Sequence, residues 1–194
     1  MYPIHGVNDG GEVLIWGVQL ESNAYATSYI PTYGSTATRA ADVSSSSSNT
    51  FGNSFYNQTE GTVFNGWRTF GDTNNAIFMV SDGTSANYLY NWIDGSILIR
   101  FRIRNNSVNV FDKQPATVSL NSFYQTSFTY SAGNNAVVIN GGSVVTGTGS
   151  SALALSQLDI GNASFTSAPL NGTLYRLTVW PTRLSNDTLK TITA

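Results

Sequence analysis

Short segments in which apolar positions alternate with polar ones, or run together, follow one another along most of the chain. In residues 96–104, Ile97, Ile99, Phe101 and Ile103 fall on one side of an extended chain and three arginines fall on the other. Further strands are predicted over residues 62–70, 76–82, 87–92, 107–111, 123–130, 136–145, 157–161 and 173–180. Since turn-forming residues separate the strands at intervals of about 8–12 residues, the pattern predicts an all-β, two-sheet sandwich or jelly roll.

Local signals mark two tight turns and one helix. Asn105–Asn106 separates two predicted strands, and Asn140–Gly141 between two apolar runs predicts a hairpin. Near the C-terminus, Ser185 has the character of a helix N-cap, and Leu184 and Leu189 have the spacing of a hydrophobic staple. A short C-terminal helix is therefore expected after the last strand.

The N-terminal part of the chain differs from the rest in pattern. Residues 12–20 are apolar on both faces and predict a strand, whereas periodicity is lost over residues 21–43. Residues 44–50 are rich in serine and predict a flexible joint. We therefore divide the chain into an N-terminal arm (1–43), a linker (44–50) and a domain (51–194).

Composition removes several classes of function. Charged residues make up 10% of the chain and the net charge is −2, which argues against a dedicated nucleic-acid binder. There is no cysteine and a single histidine, His5, so neither a Cys- or His-based metal site nor a catalytic Ser-His-Asp triad is expected. No apolar run is long enough for a membrane helix, and the first ten residues lack the features of a signal peptide.

Two stretches of the chain resemble segments of known protein families. The first runs from 15 to 42 and resembles a segment common in bacteriophage virion proteins, W-G-x-Q-L-E followed by T-S-Y-I-P-T and T-R-x-A-D. The matching residues are Trp16, Gly17, Gln19, Leu20, Glu21, Thr27–Thr32, Thr38, Arg39, Ala41 and Asp42. The second runs from 55 to the C-terminus and resembles a concanavalin A-like (laminin G-like) jelly roll, in segments 60–62, 137–142, 158–162 and 170–189.

The resemblance to virion proteins implies a role for the N-terminal arm. In those proteins the first segment usually closes a complete sandwich, but here only about a dozen residues precede it, too few for a sheet. The arm is therefore expected to lie on another surface and to drive homo-oligomerisation, with a trimer implied by the resemblance and other virion proteins as further partners. The assembly residues expected in the arm are Leu14, Trp16, Val18, Leu20, Tyr29 and Ile30.

One predicted strand carries a row of aromatic side chains. Tyr88, Tyr90 and Trp92 share a face at period two, and Asp94 follows in the next turn. Because aromatic rings stack on sugar rings, these four residues are candidates for glycan binding. The alternative is that the aromatic face forms the core of the sandwich.

A row of basic side chains is the second unusual feature. Arg100, Arg102 and Arg104 lie on one face of one predicted strand, about 6–7 Å apart, and like charges this close cost free energy unless something compensates them. One interpretation is a contact surface for an acidic partner subunit or an anionic glycan. The other is a solvated row that protects an exposed strand. Trp67 beside Arg68 is a further candidate for stacking.

Acidic residues are the remaining candidates. Glycan hydrolysis normally needs two carboxylates about 5–10 Å apart, and no two acids share a predicted strand face at suitable spacing, so no enzyme activity is expected. Asp72, Asp82 and Asp94, with neighbouring asparagines, offer oxygen ligands for Ca²⁺. The same residue types are common turn formers, which is the interpretation we favour, and no cofactor is expected.

Two functions remain open at this point. The first is a non-enzymatic bacteriophage structural protein, a head-decoration, head-fibre or tail-fibre component on the exterior of the virion. Such a protein would bind host or environmental glycans, stabilise the particle, or do both. The second is a carbohydrate-binding module of a secreted or cell-surface bacterial protein. The arm and the serine-rich segment favour the first.

Overall fold

Strands and turns dominate the computed structural model of the chain. It describes residues 17–21, 29–38, 44–46, 56–71, 74–149, 153–163, 165–166 and 168–194. Contacts between residues divide the chain into two units, Met1–Ala40 and Ala41–Ala194. The second unit contains all the strands described below and one helix. No helix among the described residues is long and apolar enough to cross a membrane.

The strands of the second unit form two antiparallel sheets. In chain order, the six-stranded sheet contains β1 (Ser44–Ser46), β3 (Asn75–Ser81), β4 (Tyr88–Ile93), β5 (Leu98–Asn105), β6 (Val108–Thr117) and β10 (Gln157–Ile160). The five-stranded sheet contains β2 (Glu60–Thr69), β7 (Phe123–Ser131), β8 (Asn135–Ile139), β9 (Val145–Gly147) and β11 (Gly172–Trp180). Their spatial orders are β1-β10-β3-β4-β5-β6 and β11-β2-β7-β8-β9. The predicted all-β jelly-roll sandwich is therefore confirmed.

The main core is built from the inward faces of both sheets. Leu89 and Phe101 come from the six-stranded sheet, Trp67 and Phe128 come from the five-stranded one, and all four are fully buried. The rings of Phe101 and Phe128 meet edge to face with centroids 5.5 Å apart. Each such side chain contributes about 1.5–3 kcal/mol on burial, so the contact between the sheets holds the sandwich together.

The predicted hairpin at Asn140–Gly141 and the helix are confirmed, and the turn after β5 lies one residue beyond the predicted Asn105–Asn106. Asn106 and Ser107 turn the chain from β5 to β6 with positive φ angles of 47° and 66°, and Asn140 also takes a positive φ angle at the end of β8. Helix α1 (Asn186–Ile192) begins after Ser185, whose hydroxyl accepts a hydrogen bond from the Thr188 amide. Leu184, Leu189 and Ile192 pack with Ala136 and Val138, so α1 lies on the outer face of β8.

Two predictions for the N-terminal part need correction. Ser44–Ser46 is not a flexible joint, because it forms strand β1 and pairs with β10. The predicted strand over residues 12–20 is wrong for residues 17–20, which are irregular, since Gly17 has a φ of +70° that extended backbone does not adopt. Residues 12–16, with Leu14 and Trp16, and residues 47–50 lie outside the described part of the chain.

The described residues of the arm are mostly exposed. Val18 and Leu20 are 80% and 99% exposed, Tyr29 is 44% exposed and Ile30 is half-buried. The Ile30 amide donates a hydrogen bond to the Gln19 side chain over 2.7 Å. The assembly role of these residues stays a prediction.

Candidate functional site

The aromatic row of β4 lies on the outer face of the six-stranded sheet. Strand alternation turns Leu89 and Ile93 toward the second sheet, where they join the main core. Tyr88, Tyr90 and Trp92 consequently point away from it and form a separate cluster. The interpretation of the aromatic face as the inter-sheet core is therefore wrong.

The three rings form a continuous stack. The centroids of Tyr88 and Tyr90 are 5.1 Å apart with an interplanar angle of 11°, and Trp92 follows 5.4 Å from Tyr90 at 37°. Phe165, from the segment after β10, approaches Tyr88 with a centroid distance of 5.5 Å. Tyr88 and Tyr90 are 3% and 7% exposed, whereas Trp92 is half-buried. Trp92 is thus the ring of this row that is most open to a ligand.

The arginine row stands directly beside the aromatic row. The register of β4 and β5 pairs Tyr88 with Arg104, Tyr90 with Arg102 and Trp92 with Arg100. The Arg102 guanidinium lies 5.6 Å from the Tyr90 ring centroid, and that of Arg104 lies 6.0 Å from the Tyr88 centroid. The interpretation of these arginines as protection of an exposed strand is wrong, because β5 is paired on both sides, with β4 and β6.

One carboxylate compensates two of the three arginines. Asp112 of β6 accepts hydrogen bonds from Nε and Nη2 of Arg100 over 2.7 and 3.0 Å. It also accepts one from Nε of Arg102 over 2.9 Å, and Nη2 of Arg102 lies 2.7 Å from the same carboxylate. Arg104 forms no ion pair among the described residues. The cluster therefore carries three positive charges and one negative charge at neutral pH.

The shared carboxylate sets the ionisation of the cluster. Burial alone would raise the pKa of Asp112, but the hydrogen bonds from Arg100 and Arg102 outweigh it and hold the pKa below its usual value. The hydrogen bond to Asp112 in turn raises the pKa of Arg100. Burial raises the pKa of Tyr90, with Arg102 acting in the opposite direction. The cluster thus keeps its charges, and Tyr90 stays neutral, over the ordinary pH range.

These two rows line one open cleft of about 260 Å³. Its lining residues are Asn74, Tyr88, Tyr90, Trp92, Asp94, Arg100, Arg102, Phe165 and Thr166. The Asp94 carboxylate accepts hydrogen bonds from the amides of Ser96 and Leu98 and from the Gln114 side chain over 3.0, 3.1 and 2.6 Å. The structure therefore brings together all four residues predicted for glycan binding and two of the three predicted arginines.

The other candidates from the sequence lie elsewhere. Trp67 is fully buried and donates to the Thr126 hydroxyl, so its ring is not available for stacking on a ligand. Asp82 accepts hydrogen bonds from the Thr84 amide and hydroxyl and from Asn87 within its own turn. Burial would raise the pKa of Asp82, but these hydrogen bonds lower it. No group of three His, Cys, Asp or Glu is placed to hold a metal in the described part of the chain, and Asp72 lies outside that part.

Four residues of the site were not predicted from the sequence. Asn74, Phe165 and Thr166 come from connections between strands, and their sequences contain no motif that marks a site. Asp112 gave no such signal either, because a strand continued from the turn without a register shift would place it opposite Phe101 and not opposite an arginine.

A family model and several solved structures match the chain. Residues 67–190 match the family model described as the concanavalin A-like lectin/glucanases superfamily. The CBM40 of Ruminococcus gnavus IT-sialidase bound to α2,3-sialyllactose is similar with a TM-score of 0.60 and 18% identity, over 70% of this chain and 83% of that one. The same CBM40 bound to α2,6-sialyllactose gives 0.61 and 16%, over 70% and 84%.

A larger enzyme contains a similar domain. Leech intramolecular trans-sialidase complexed with 2,7-anhydro-Neu5Ac matches with a TM-score of 0.61 and 18% identity, over 71% of this chain and 23% of that one. At such identities the likeness to solved structures shows a common fold. No curated protein matches the chain.

Proposed function

Because the chain belongs to the concanavalin A-like lectin/glucanase superfamily, we propose that it is a carbohydrate-binding module and that the cleft beside Trp92 holds the saccharide. One observation carries this proposal: the aromatic row of β4 and the arginine row of β5 line the same open cleft. Aromatic rings offer a stacking surface for sugar C–H groups, and guanidinium groups recognise anionic substituents. The combination fits a saccharide that carries a carboxylate.

Each residue has a distinct role in this proposal. The half-buried ring of Trp92 stacks on the sugar, while the neighbouring Tyr90 ring packs against it with a centroid distance of 5.4 Å. Arg100 and Arg102 are held in place by Asp112, so less side-chain entropy is lost when they pair with the ligand. The similar CBM40 structures are described as bound to sialyllactose, which supports an acidic sugar as the first ligand to test.

Calorimetric titration with 3′-sialyllactose and with lactose tests the proposal. We expect binding of the sialylated sugar only, and we expect Trp92→Ala to weaken it by about tenfold or more, as loss of a stacking contact does. Tyr33→Ala removes an exposed ring of the N-terminal unit and serves as the control, with no expected loss. If the Trp92→Ala protein stays folded and binds 3′-sialyllactose as tightly as the wild-type protein does, the cleft is not the saccharide site.

We propose further that the domain does no hydrolysis. Among the described residues, Asp94 lines the cleft and Asp112 contacts its arginines, and the two carboxylates are engaged by turn amides and by arginines respectively. A general acid needs a raised pKa, whereas that of Asp112 is lowered. We expect no release of reducing sugar from a panel of polysaccharides. Release that Asp94→Asn or Asp112→Asn abolishes would contradict this.

The similarity to sialidase-associated domains favours the carbohydrate-binding module over the virion structural protein. The comparisons give no support to virion partners, to a homotrimer or to an exterior position on a phage particle. These parts of the first hypothesis rest on the resemblance of residues 15–42 alone.

A further inference from the structure

A second exposed cluster of aromatic and basic side chains lies on the outer face of the five-stranded sheet. We call it the Arg68 face and define it by Arg68, Phe123, Tyr175 and Arg176. Phe123 and Tyr175 are 50% and 52% exposed, and their rings meet edge to face with centroids 5.1 Å apart. Helix α1 packs on the outer side of β8 in this sheet.

A bulge in β11 builds this face. Leu174 pairs with Trp67 and Arg176 pairs with Gly66, so Tyr175 is an extra residue between two register positions. Such a bulge lets two consecutive side chains, here Tyr175 and Arg176, lie on the same side of the sheet. Gly66 leaves room beside them, since a Cβ at that position would lie 3.2 Å from the Phe123 ring.

The two arginines of this face carry uncompensated charge. The Arg68 guanidinium lies between the rings of Phe70 and Tyr175, 4.9 and 5.8 Å from their centroids, and its Nε is buried without a hydrogen-bond partner. Arg176 lies 5.4 Å from the Phe64 centroid, and its Nε donates to the Thr178 hydroxyl. Neither forms an ion pair within the described residues, in contrast to Arg100 and Arg102.

From this arrangement we infer that the Arg68 face binds an anionic polysaccharide. The rings of Phe123 and Tyr175 provide stacking surface, and the guanidinium groups of Arg68 and Arg176 provide partners for carboxylate or sulfate groups. A protein partner fits less well, because a stable protein interface takes about 20–30 residues on each side and this face exposes only a few large side chains. The site is separate from the cleft of β4 and β5, and the inference does not depend on that cleft.

Affinity electrophoresis of the full chain in gels containing polygalacturonate, with dextran of similar length as the neutral polymer, tests the inference. The double variant Arg68→Gln, Arg176→Gln should weaken binding of polygalacturonate by about tenfold or more, the size expected for two charge-assisted contacts. Tyr175→Ala should also weaken it, by about threefold or more. The matched control Lys113→Gln, Lys190→Gln removes the same number of charges elsewhere and should change binding less than twofold.

Three outcomes would overturn the inference. They are absence of polygalacturonate binding, equal losses in the two double variants, or a loss with the arginine variant but none with Tyr175→Ala. The last two would mean unspecific attraction between charges. Trp92→Ala separates the sites, because it should weaken binding of sialyllactose by about tenfold or more and should weaken binding of polygalacturonate less than the Arg68→Gln, Arg176→Gln variant does. Circular dichroism and thermal unfolding of each variant identify any that misfold, and Tyr175→Phe, which keeps the ring, should bind normally.

Discussion

At the scale of single residues, the position of Asp112 decides the electrostatics of the candidate site. The turn at Asn106 and Ser107 alone would pair Arg102 with Phe111. A register shift between Ile103 and Arg104 moves the partner of Arg102 by one residue, to Asp112. A one-residue shift moves the following side chains of a strand to the opposite face. Alternation along β5 was therefore enough to predict the arginine row, whereas the position of its acidic partner in β6 could not be predicted.

Replacing Asp112 with asparagine should destabilise the domain by about 1–2 kcal/mol at pH 7, because two guanidinium groups lose a charged partner that is itself partly exposed. The folded-state pKa of Asp112 is lowered, so its stabilising contribution is complete above the unfolded pKa of about 3.9 and is lost as the pH falls through the lower folded value. Urea unfolding at pH 7 measures the destabilisation, and urea unfolding at pH 2 measures how much of it is lost at low pH. The difference in the free energy of unfolding between the Asp112→Asn variant and the wild-type protein should be smaller at pH 2 than at pH 7. A larger difference at pH 2 would contradict the role given to Asp112.

Alternation alone could not predict whether Tyr88, Tyr90 and Trp92 lie on the inner or the outer face of their sheet. Both faces of β4 are apolar, so period two identified the row and gave no sign of which face meets the second sheet. The outer face is apolar because Ala163, Ala168 and the Phe165 ring pack on it. Those residues come from a connection about 70 positions further along the chain, which no local pattern reveals.

At the scale of elements, features set by neighbouring residues were predicted and those set by distant ones were not. Helix α1 and the turn after β5 depend on residues within four or five positions of each other, and both were predicted. Strand β1 depends on pairing with β10, more than a hundred residues away, and its serines alone resemble a linker. Local chemistry is readable in a single sequence, whereas long-range pairing is not.

The N-cap of α1 provides a test at this scale. Ser185→Ala removes the acceptor of the Thr188 amide and should cost about 1 kcal/mol, within the range of about 0.5–2 kcal/mol for such caps. Thr191→Ala, on the exposed side of the same helix, is the matched control and should change stability by less than about 0.5 kcal/mol. Chemical unfolding compares the two. A loss at Thr191 as large as that at Ser185 would contradict the capping role.

At the scale of the whole molecule, the exposed side chains of the arm predict association. Val18 and Leu20 leave most of their apolar surface in water, and burying each would contribute about 1.5–3 kcal/mol. We expect light scattering to show an oligomer for the full chain at micromolar concentration and a monomer for residues 41–194. A monodisperse monomer of the full chain would contradict self-association through the arm.

The boundary between arm and domain gives the last prediction. Because Ser44, Ser45 and Ser46 pair with Ile160, Asp159 and Leu158, a chain that begins at residue 51 lacks a strand of the six-stranded sheet, whereas one that begins at residue 41 keeps it. The loss exposes one side of β10 and the buried Asp159, for which we expect a cost of about 1–2 kcal/mol, or a melting temperature about 3–6 °C lower. The longer chain should melt within about 2 °C of the domain in the full chain. Calorimetric scans of the three proteins decide between the boundaries, since equal melting temperatures for the 41–194 and 51–194 chains would show that β1 adds nothing to the domain and would restore residues 44–50 to the role of a linker.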